Sequence, residues 1–298
     1  GELRVFHNVC RHRGAELVGQ THGCKQRFTC PYHAWTYSAE GKLLSIPQEA
    51  AGFPSINKED FGLRPVQAQE YAGWVWIQLG AQPMPAIKDY LGELADELSG
   101  FSDREQRLFA SDTLECEANW KLIVEGGLEA YHFKVAHKES IASYFLNNLS
   151  SYARVDRHLR SLLPRSTLDT LRTQPEATWQ TREHCNVLYT LFPANQFLVQ
   201  SDHYVWTQLE PLSESRTRVR IATVIPGYAS TDAMQRYWES NHALTMKTLR
   251  EDFALGEGIQ RGINAGSQPN LTFGAFESAL EVFNQTLRET LAARGKPV

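Results

Sequence analysis

Apolar and polar positions change their period along this chain. Through the first eighty residues, short runs of strand character are bounded by turn residues: 3–6, 27–30, 34–38 ahead of an Ala39, Glu40, Gly41 turn, and 71–79. Runs this short predict a small antiparallel β domain. Regularity breaks at 81–85, which carries Pro83 and Pro85, and a short amphipathic helix is expected near 89–99. From Asn119 to about Tyr131 the apolar spacing is helical. Strand-like runs follow at 186–192, 196–200, 203–210 and 216–225, and helical segments at about 231–262 and 275–293. Strands grouped together and flanked by helices predict an α+β domain with an antiparallel sheet. The expected division is 1–82 for the first domain, 83–112 for a linker and 113–298 for the second.

Composition narrows the class. With 298 residues, a formal charge of −4 and 42% hydrophobic residues, the chain has the makings of one large or two modest globular domains, and no basic excess suggests nucleic acid. No apolar run reaches the roughly eighteen residues of a membrane span, and the N-terminus lacks the pattern of a signal peptide, so a cytoplasmic protein without membrane association is expected. The five cysteines, at 10, 24, 30, 116 and 185, are odd in number and sparse, which argues for metal ligation or plain burial over disulfides. The chain starts with Gly1 and its first motif opens nine residues later, so an N-terminal truncation that removed strands of the first domain is expected.

That motif consists of two mixed pairs. Cys10 and His12 are separated by one residue, Cys30 and His33 by two, and seventeen residues lie between the pairs. Such pairs on two loops suit a two-iron, two-sulfur cluster in which one iron takes two thiolates and the other two imidazoles. A structural zinc site accepts the same ligand types. Against zinc stand the one-residue gap of the first pair, the stiffening of the second loop by Pro31 and Tyr32, and the surrounding β domain. Cys24 has no partner spacing and is expected as a buried thiol; His7 and His22 are expected in solvated loops.

A second constellation lies in 119–137. On a helix, Glu125, Glu129 and His132 fall within about 40° of one another, while Trp120, Val124, Leu128 and Tyr131 form an apolar stripe. His137, five residues after His132, would point about 140° away on an unbroken helix, so the helix must loosen or end between them if both bind one metal. Two histidines and a carboxylate with open positions form the iron(II) site of non-haem oxygenases. The carboxylate is expected to be Asp252, which shares a helix side with Leu249, Leu255 and Ile259 and so points into the core; Glu251 is expected to pair with Lys247 in solvent. Structural pairing of Asp252 with an arginine is the competing account.

The stretches Cys10 to Gly14 and Cys30 to Trp35, with Glu129 to His137 and the helix of Glu251 and Asp252, resemble the catalytic alpha subunits of Rieske non-haem iron oxygenases, the aromatic ring-hydroxylating oxygenases. The resemblance implies a Rieske [2Fe-2S] domain followed by a helix-grip, START-like catalytic domain. Its cofactors would be the [2Fe-2S] cluster on Cys10, His12, Cys30 and His33 and a mononuclear Fe(II) on His132, His137 and Asp252. By the same resemblance Glu129 is the acid that bridges an iron-ligand histidine and His33 of a neighbouring subunit. It further implies a homotrimer, with or without a beta subunit. Two residues depart from the common pattern. Glu129 stands where many members carry Asp, a trait of members acting on quaternary ammonium compounds, and Gly126 stands where Asn is usual.

The expected activity is O2-dependent hydroxylation, with or without demethylation, or cis-dihydroxylation of a small organic substrate. Substrate is expected over the iron in an apolar pocket around 187–192, 197–200 and 205–207, with ordinary strand and turn roles for His203 and Asn195. Gly256, Gly258 and Gly262 lack the spacing and preceding strand of a nucleotide-binding loop, so a separate reductase or ferredoxin must donate electrons. The rival readings are a zinc-stabilised or cluster-stabilised small-molecule-binding protein and an electron carrier without oxygenase activity.

Overall fold

The computed structural model describes residues 1–101, 105–228, 231–267 and 270–295, and the chain divides into two units: Gly1–Tyr90 with Ala95–Phe101, and Leu91–Leu94 with Ser102–Val298.

The first unit contains two three-stranded antiparallel sheets. One, in the order β1-β5-β6, joins β1 (Val5–Phe6), β5 (Pro65–Tyr71) and β6 (Trp74–Gln78); the other joins β2 (Arg27–Thr29), β3 (Thr36–Ser38) and β4 (Leu43–Ser45) in sequence order. Its core gathers Leu17, Trp35, Tyr37, Leu43, Ile46 and Leu63 with Cys10 and Cys30. Short helices α1 (Glu49–Gly52), α2 (Ile87–Leu91) and α3 (Leu94–Ser99) complete this part of the chain. Two expectations need correction. The run expected as one strand over 71–79 is the end of a hairpin, because Ala72 and Gly73 both adopt positive φ (55° and 78°) and turn the chain between β5 and β6. The helix expected over 89–99 is two, interrupted at Gly92 with φ 57°.

The second unit is built on a seven-stranded antiparallel sheet ordered β7-β13-β12-β11-β10-β9-β8. Its strands are β7 (Gln106–Cys116), β8 (Ser151–Val155), β9 (His158–Pro164), β10 (Cys185–Leu191), β11 (Asn195–Val199), β12 (Tyr204–Ser213) and β13 (Arg216–Pro226). The four runs seen in sequence become β10 to β13. β7, β8 and β9 are additional, and β7 starts inside the stretch expected as linker. Its polar Ser111, Asp112 and Thr113 mask the alternation of an edge strand that is held by pairing along the whole of β13.

Helices α4 (Trp120–Gly127), α5 (Phe133–Ala136), α6 (Asp232–Asn264) and α7 (Ser278–Ala293) flank this sheet. The Asn119 side chain caps α4 by accepting the Lys121 N–H at 3.0 Å, and Thr231 caps α6 by accepting that of Met234 at 3.2 Å. α6 buries Trp238, Met246, Phe253, Gly256 and Gln260. Met246 and Phe253 pack with Val205, Val219 and Ile221 of the sheet. The core face is therefore not the one expected: Leu255 and Ile259 are half-exposed. Among the described residues, no helix is long and apolar enough to cross a membrane.

Candidate functional site

In the first unit, the two loops that carry Cys10 and Cys30 fold alike. Each cysteine donates its backbone N–H to the carbonyl five residues on, Ala15 or Trp35, and accepts from the N–H four residues on, Gly14 or Ala34. Gly14 and Ala34 both take positive φ (79° and 57°), which closes each loop. Both thiols are buried, and the two Nδ1 atoms of His12 and His33 face each other at 3.2 Å. The His12 ring is stacked on Trp35 with centroids 4.9 Å apart, and Tyr37 Oη lies 3.4 Å from Cys10 Sγ. Partial burial, then the charges of His33 and Arg13, lower the pKa of His12, which favours the neutral imidazole that metal ligation requires.

A tetrahedral zinc at about 2.0–2.3 Å from each donor would draw all four ligand atoms within about 4 Å of one another. Among the described residues, the group of three or more His, Cys, Asp or Glu donors that meets within 4.8 Å is a different one, so these four do not converge on one point. Two thiolates and two imidazoles spread over more than one point suit a dinuclear cluster. Cys24 lies outside this arrangement and is exposed, correcting the expectation of a buried thiol; His7 and His22 are exposed as expected.

The converging group is His132, His137 and Asp252. His132 Nε2 lies 3.1 Å from His137 Nε2 and 3.4 Å from Asp252 Oδ1, and His137 Nε2 lies 3.0 Å from the same oxygen. Three donors on one face of an octahedron, each about 2.1 Å from a metal, would stand about 3.0 Å apart. The triangle thus fits a single six-coordinate ion with three positions left open.

Local backbone structure sets this geometry. α4 ends at Gly127, four residues earlier than expected, and the Leu128 N–H closes it on the Glu125 carbonyl. Glu125 and Glu129 are therefore not on one stripe: Glu125 is buried, accepts a hydrogen bond from Asn284 at 2.7 Å, and its carboxyl is raised in pKa chiefly by burial. His132 and His137 bracket the single turn of α5, which brings both Nε2 atoms to one side. This is the helix end that the five-residue spacing required. Gly127 serves a close approach, since a Cβ there would stand 2.8 Å from Gln196 Nε2; Gly126 has open space around it.

Each imidazole is backed by an acid. Glu129 binds His132 Nδ1 and accepts the N–H groups of Tyr131 and His132. Glu251 Oε2 lies 2.8 Å from His137 Nδ1 and accepts from Ser140 Oγ. Glu251 corrects the expectation of solvent pairing with Lys247, whose ammonium goes to the Glu139 carbonyl. Its signal in sequence was adjacency to Asp252, which helical spacing turned away from the site. Burial alone would lower His132, but the carboxylates of Asp252 and Glu129 outweigh it and push its pKa up to about 9. His137 is also raised: Asp252 and Glu251 outweigh its desolvation. Asp252 is held low by the two imidazoles against the effect of burial. A site that attracts protons this strongly is short of positive charge, which a metal dication supplies.

His132, His137 and Asp252 open on a cavity of about 540 Å³. Phe133, Ile141, Phe145, Leu188, Leu198 and Val205 give it apolar walls, and Tyr144 and Tyr237 add aromatic rings. Of the strand residues expected to line it, Leu188, Leu198, Gln200, Val205 and Thr207 do. Val187, Tyr189, Phe197, Asn195 and His203 are not among its lining residues; alternation sends the odd-numbered residues of β10 and β11 to the other face of the sheet.

Comparison with known proteins agrees with this division. The family model for the ring hydroxylating alpha subunit (catalytic domain) matches residues 104–293, and that for the Rieske [2Fe-2S] domain matches residues 1–67. The chain is 38% identical over 161 residues to the glycine betaine monooxygenase oxygenase subunit of Chromohalobacter salexigens, covering 52% of this chain and 33% of that one. It is 38% identical over 137 residues to the carnitine monooxygenase oxygenase subunit of Acinetobacter pittii, covering 45% and 36%. With the anthranilate 1,2-dioxygenase large subunit of Acinetobacter baylyi it shares 30% identity over 148 residues, covering 48% and 31%. The matched stretches thus span about a third of these relatives' own length. In fold, it superposes on a quaternary ammonium Rieske monooxygenase in complex with L-carnitine with a TM-score of 0.77 at 24% identity, covering 96% of this chain and 78% of that one. Naphthalene 1,2-dioxygenase from a Rhodococcus species gives a TM-score of 0.79 at 18% identity, covering 98% and 82%. With the catalytic-domain model running through most of the second unit, behind a Rieske [2Fe-2S] domain, this chain belongs to the ring hydroxylating alpha subunit family.

Proposed function

We propose that this chain is the oxygenase component of a system that takes electrons from a separate reductase or ferredoxin and uses O2 to hydroxylate, demethylate or cis-dihydroxylate a small organic substrate. The observation that carries this reading is the triangle of His132 Nε2, His137 Nε2 and Asp252 Oδ1, with sides of 3.0 to 3.4 Å, set in the wall of a cavity sized for a small molecule. In this reading Cys10, His12, Cys30 and His33 hold the [2Fe-2S] cluster, and His132, His137 and Asp252 hold the iron. When bound, the cluster supplies single electrons and the iron supplies an open centre for O2.

The protein's own groups then have separable tasks. Glu129 and Glu251 fix the tautomer and orientation of the two imidazoles by holding each Nδ1, so that each Nε2 is presented to the metal. The apolar walls limit water at the reacting end of the cavity. Glu129 also bridges to His33 of a neighbouring copy, in a ring of three. Its Glu side chain, together with relatives named for glycine betaine and carnitine oxygenation, makes quaternary ammonium compounds a substrate class to test beside aromatic acids.

Metal analysis tests the reading directly. About three irons and two labile sulfides per chain are expected, with substrate-dependent oxygen uptake once a reductase is added. Two irons without uptake would leave an electron carrier, and zinc would leave a binding module. Glu129→Gln also loses the anion on His132, so it is compared with wild type at equal iron loading, where slower single turnover is expected; an unchanged rate removes Glu129 from the bridge.

A further inference from the structure

The same cavity carries polar groups with no partner and no role so far. Asn186 is 3% exposed and lines the cavity, yet its Oδ1 is buried without a hydrogen bond. A buried amide oxygen is costly to leave unpaired, so a missing partner is to be sought on a ligand. Arg165 also lines the cavity, and among the described residues its guanidinium makes no ion pair or hydrogen bond.

Strand register brings the two together. Leu163 stands opposite Asn186, and the Arg165 N–H donates to the His184 carbonyl, so the β9-β10 pairing continues past Pro164. Arg165, two residues beyond Leu163, therefore shares the face of Asn186 and is its diagonal neighbour, within reach of a long side chain. On the other side, Val187 pairs with Val199, which sets Gln200 opposite Asn186. The nearby acid, Asp202, is already engaged: His203 Nδ1 lies 2.8 Å from Oδ1, and the Tyr237 hydroxyl donates to Oδ2 at 2.7 Å. His203 Nε2 in turn lies 2.8 Å from Gln200 Nε2, which fixes that amide. Arg165 thus offers a ligand a permanent cation, and Asn186 an unpaired amide oxygen.

We propose that Arg165 and Asn186 form the substrate-orienting end of the cavity, and that the substrate is a small molecule bearing a carboxylate, which pairs with the guanidinium, and a hydrogen-bond donor, which Asn186 Oδ1 accepts. A guanidinium in a largely apolar cavity selects strongly for such an anion, because leaving it unpaired on binding a neutral ligand forfeits a charge-assisted hydrogen bond. This rests on the proposed function for the identity of the site, but its test does not require turnover.

Calorimetric titration of the full-length, iron-loaded protein, without reductase, compares matched probes that each carry a donor: anthranilate with aniline, and carnitine with choline. At least one carboxylate is expected to bind, and at least about tenfold more tightly than its carboxylate-free counterpart. Arg165→Gln should abolish that preference, and Asn186→Asp, which offers the guanidinium an internal carboxylate, should weaken carboxylate binding by a similar factor; retention of the mononuclear iron, whose expected ligands lie in the same unit, reports intact folding of both. Failure of both carboxylates to bind wild-type protein at millimolar concentration, equal binding within each pair, or unchanged binding by Arg165→Gln overturns the proposal. Arg165-dependent binding in a protein that never consumes O2 would leave the proposal standing and remove the oxygenase reading.

Discussion

The two candidate metal sites are built at different ranges. All four expected cluster donors come from residues 10–33, on two loops with the same hydrogen-bond pattern, and the supporting Trp35 and Tyr37 follow within four residues. The triad of the second unit joins His132 and His137 to an aspartate 115 residues beyond His137, on a helix whose placement depends on packing against the sheet. A site contained in one short segment has its geometry fixed by turns. One assembled across the fold depends on tertiary packing and on supporting acids that hold each ligand in place.

Asp252→Ala should have the largest effect. It removes the donor that the distant helix contributes, so mononuclear iron and turnover should be lost while the cluster absorption stays as in wild type; loss of the cluster as well would break the distinction between the regions. Glu251→Gln should act only on the second region, weakening its metal affinity by about 10–100-fold because His137 loses the anion that orients it. An equal loss of cluster content would argue for general unfolding.

pH should separate the regions further. In the metal-free protein His132 keeps its proton up to about pH 9 against an ordinary value of 6.5. The stability this contributes is present below about pH 6.5 and disappears as pH rises through 9. Metal must displace that proton, so affinity at the triad should rise with pH, by about tenfold per unit below pH 9 for one proton released. Calorimetry in buffers of different ionisation enthalpy measures the release; its absence would mean that the imidazole is already neutral.

The smallest effects concern the neighbouring glycines. Gly126→Ala should stabilise α4 by up to about 1 kcal/mol, since its Cβ meets open space. Gly127→Ala should fall about 1–2 kcal/mol short of that, because its Cβ displaces the buried Gln196 amide. Thermal melts of the two variants compare them directly.

This difference in range also sets what could be read in advance. The spacing of Cys10, His12, Cys30 and His33 carries its own geometry, and the interval from His132 to His137 required a helix end that α5 provides. Asp252 was legible as an acid that needs a counter-charge, but for the wrong reason: its expected companions Leu255 and Ile259 are half-exposed. Helical spacing alone gives Glu251 an equally good partner in Lys247, in solvent, and only docking of α6 beside His137 and Ser140 decides between them.

Residue chemistry and short-range spacing determined which atoms can hold metal, since loops and single turns have few allowed conformations. Tertiary structure alone decided which acid backs each imidazole, which strand faces form the cavity, and that Arg165 and Asn186 both line it. Those outcomes depend on register and helix docking, and the packing of residues far apart in the chain selects them.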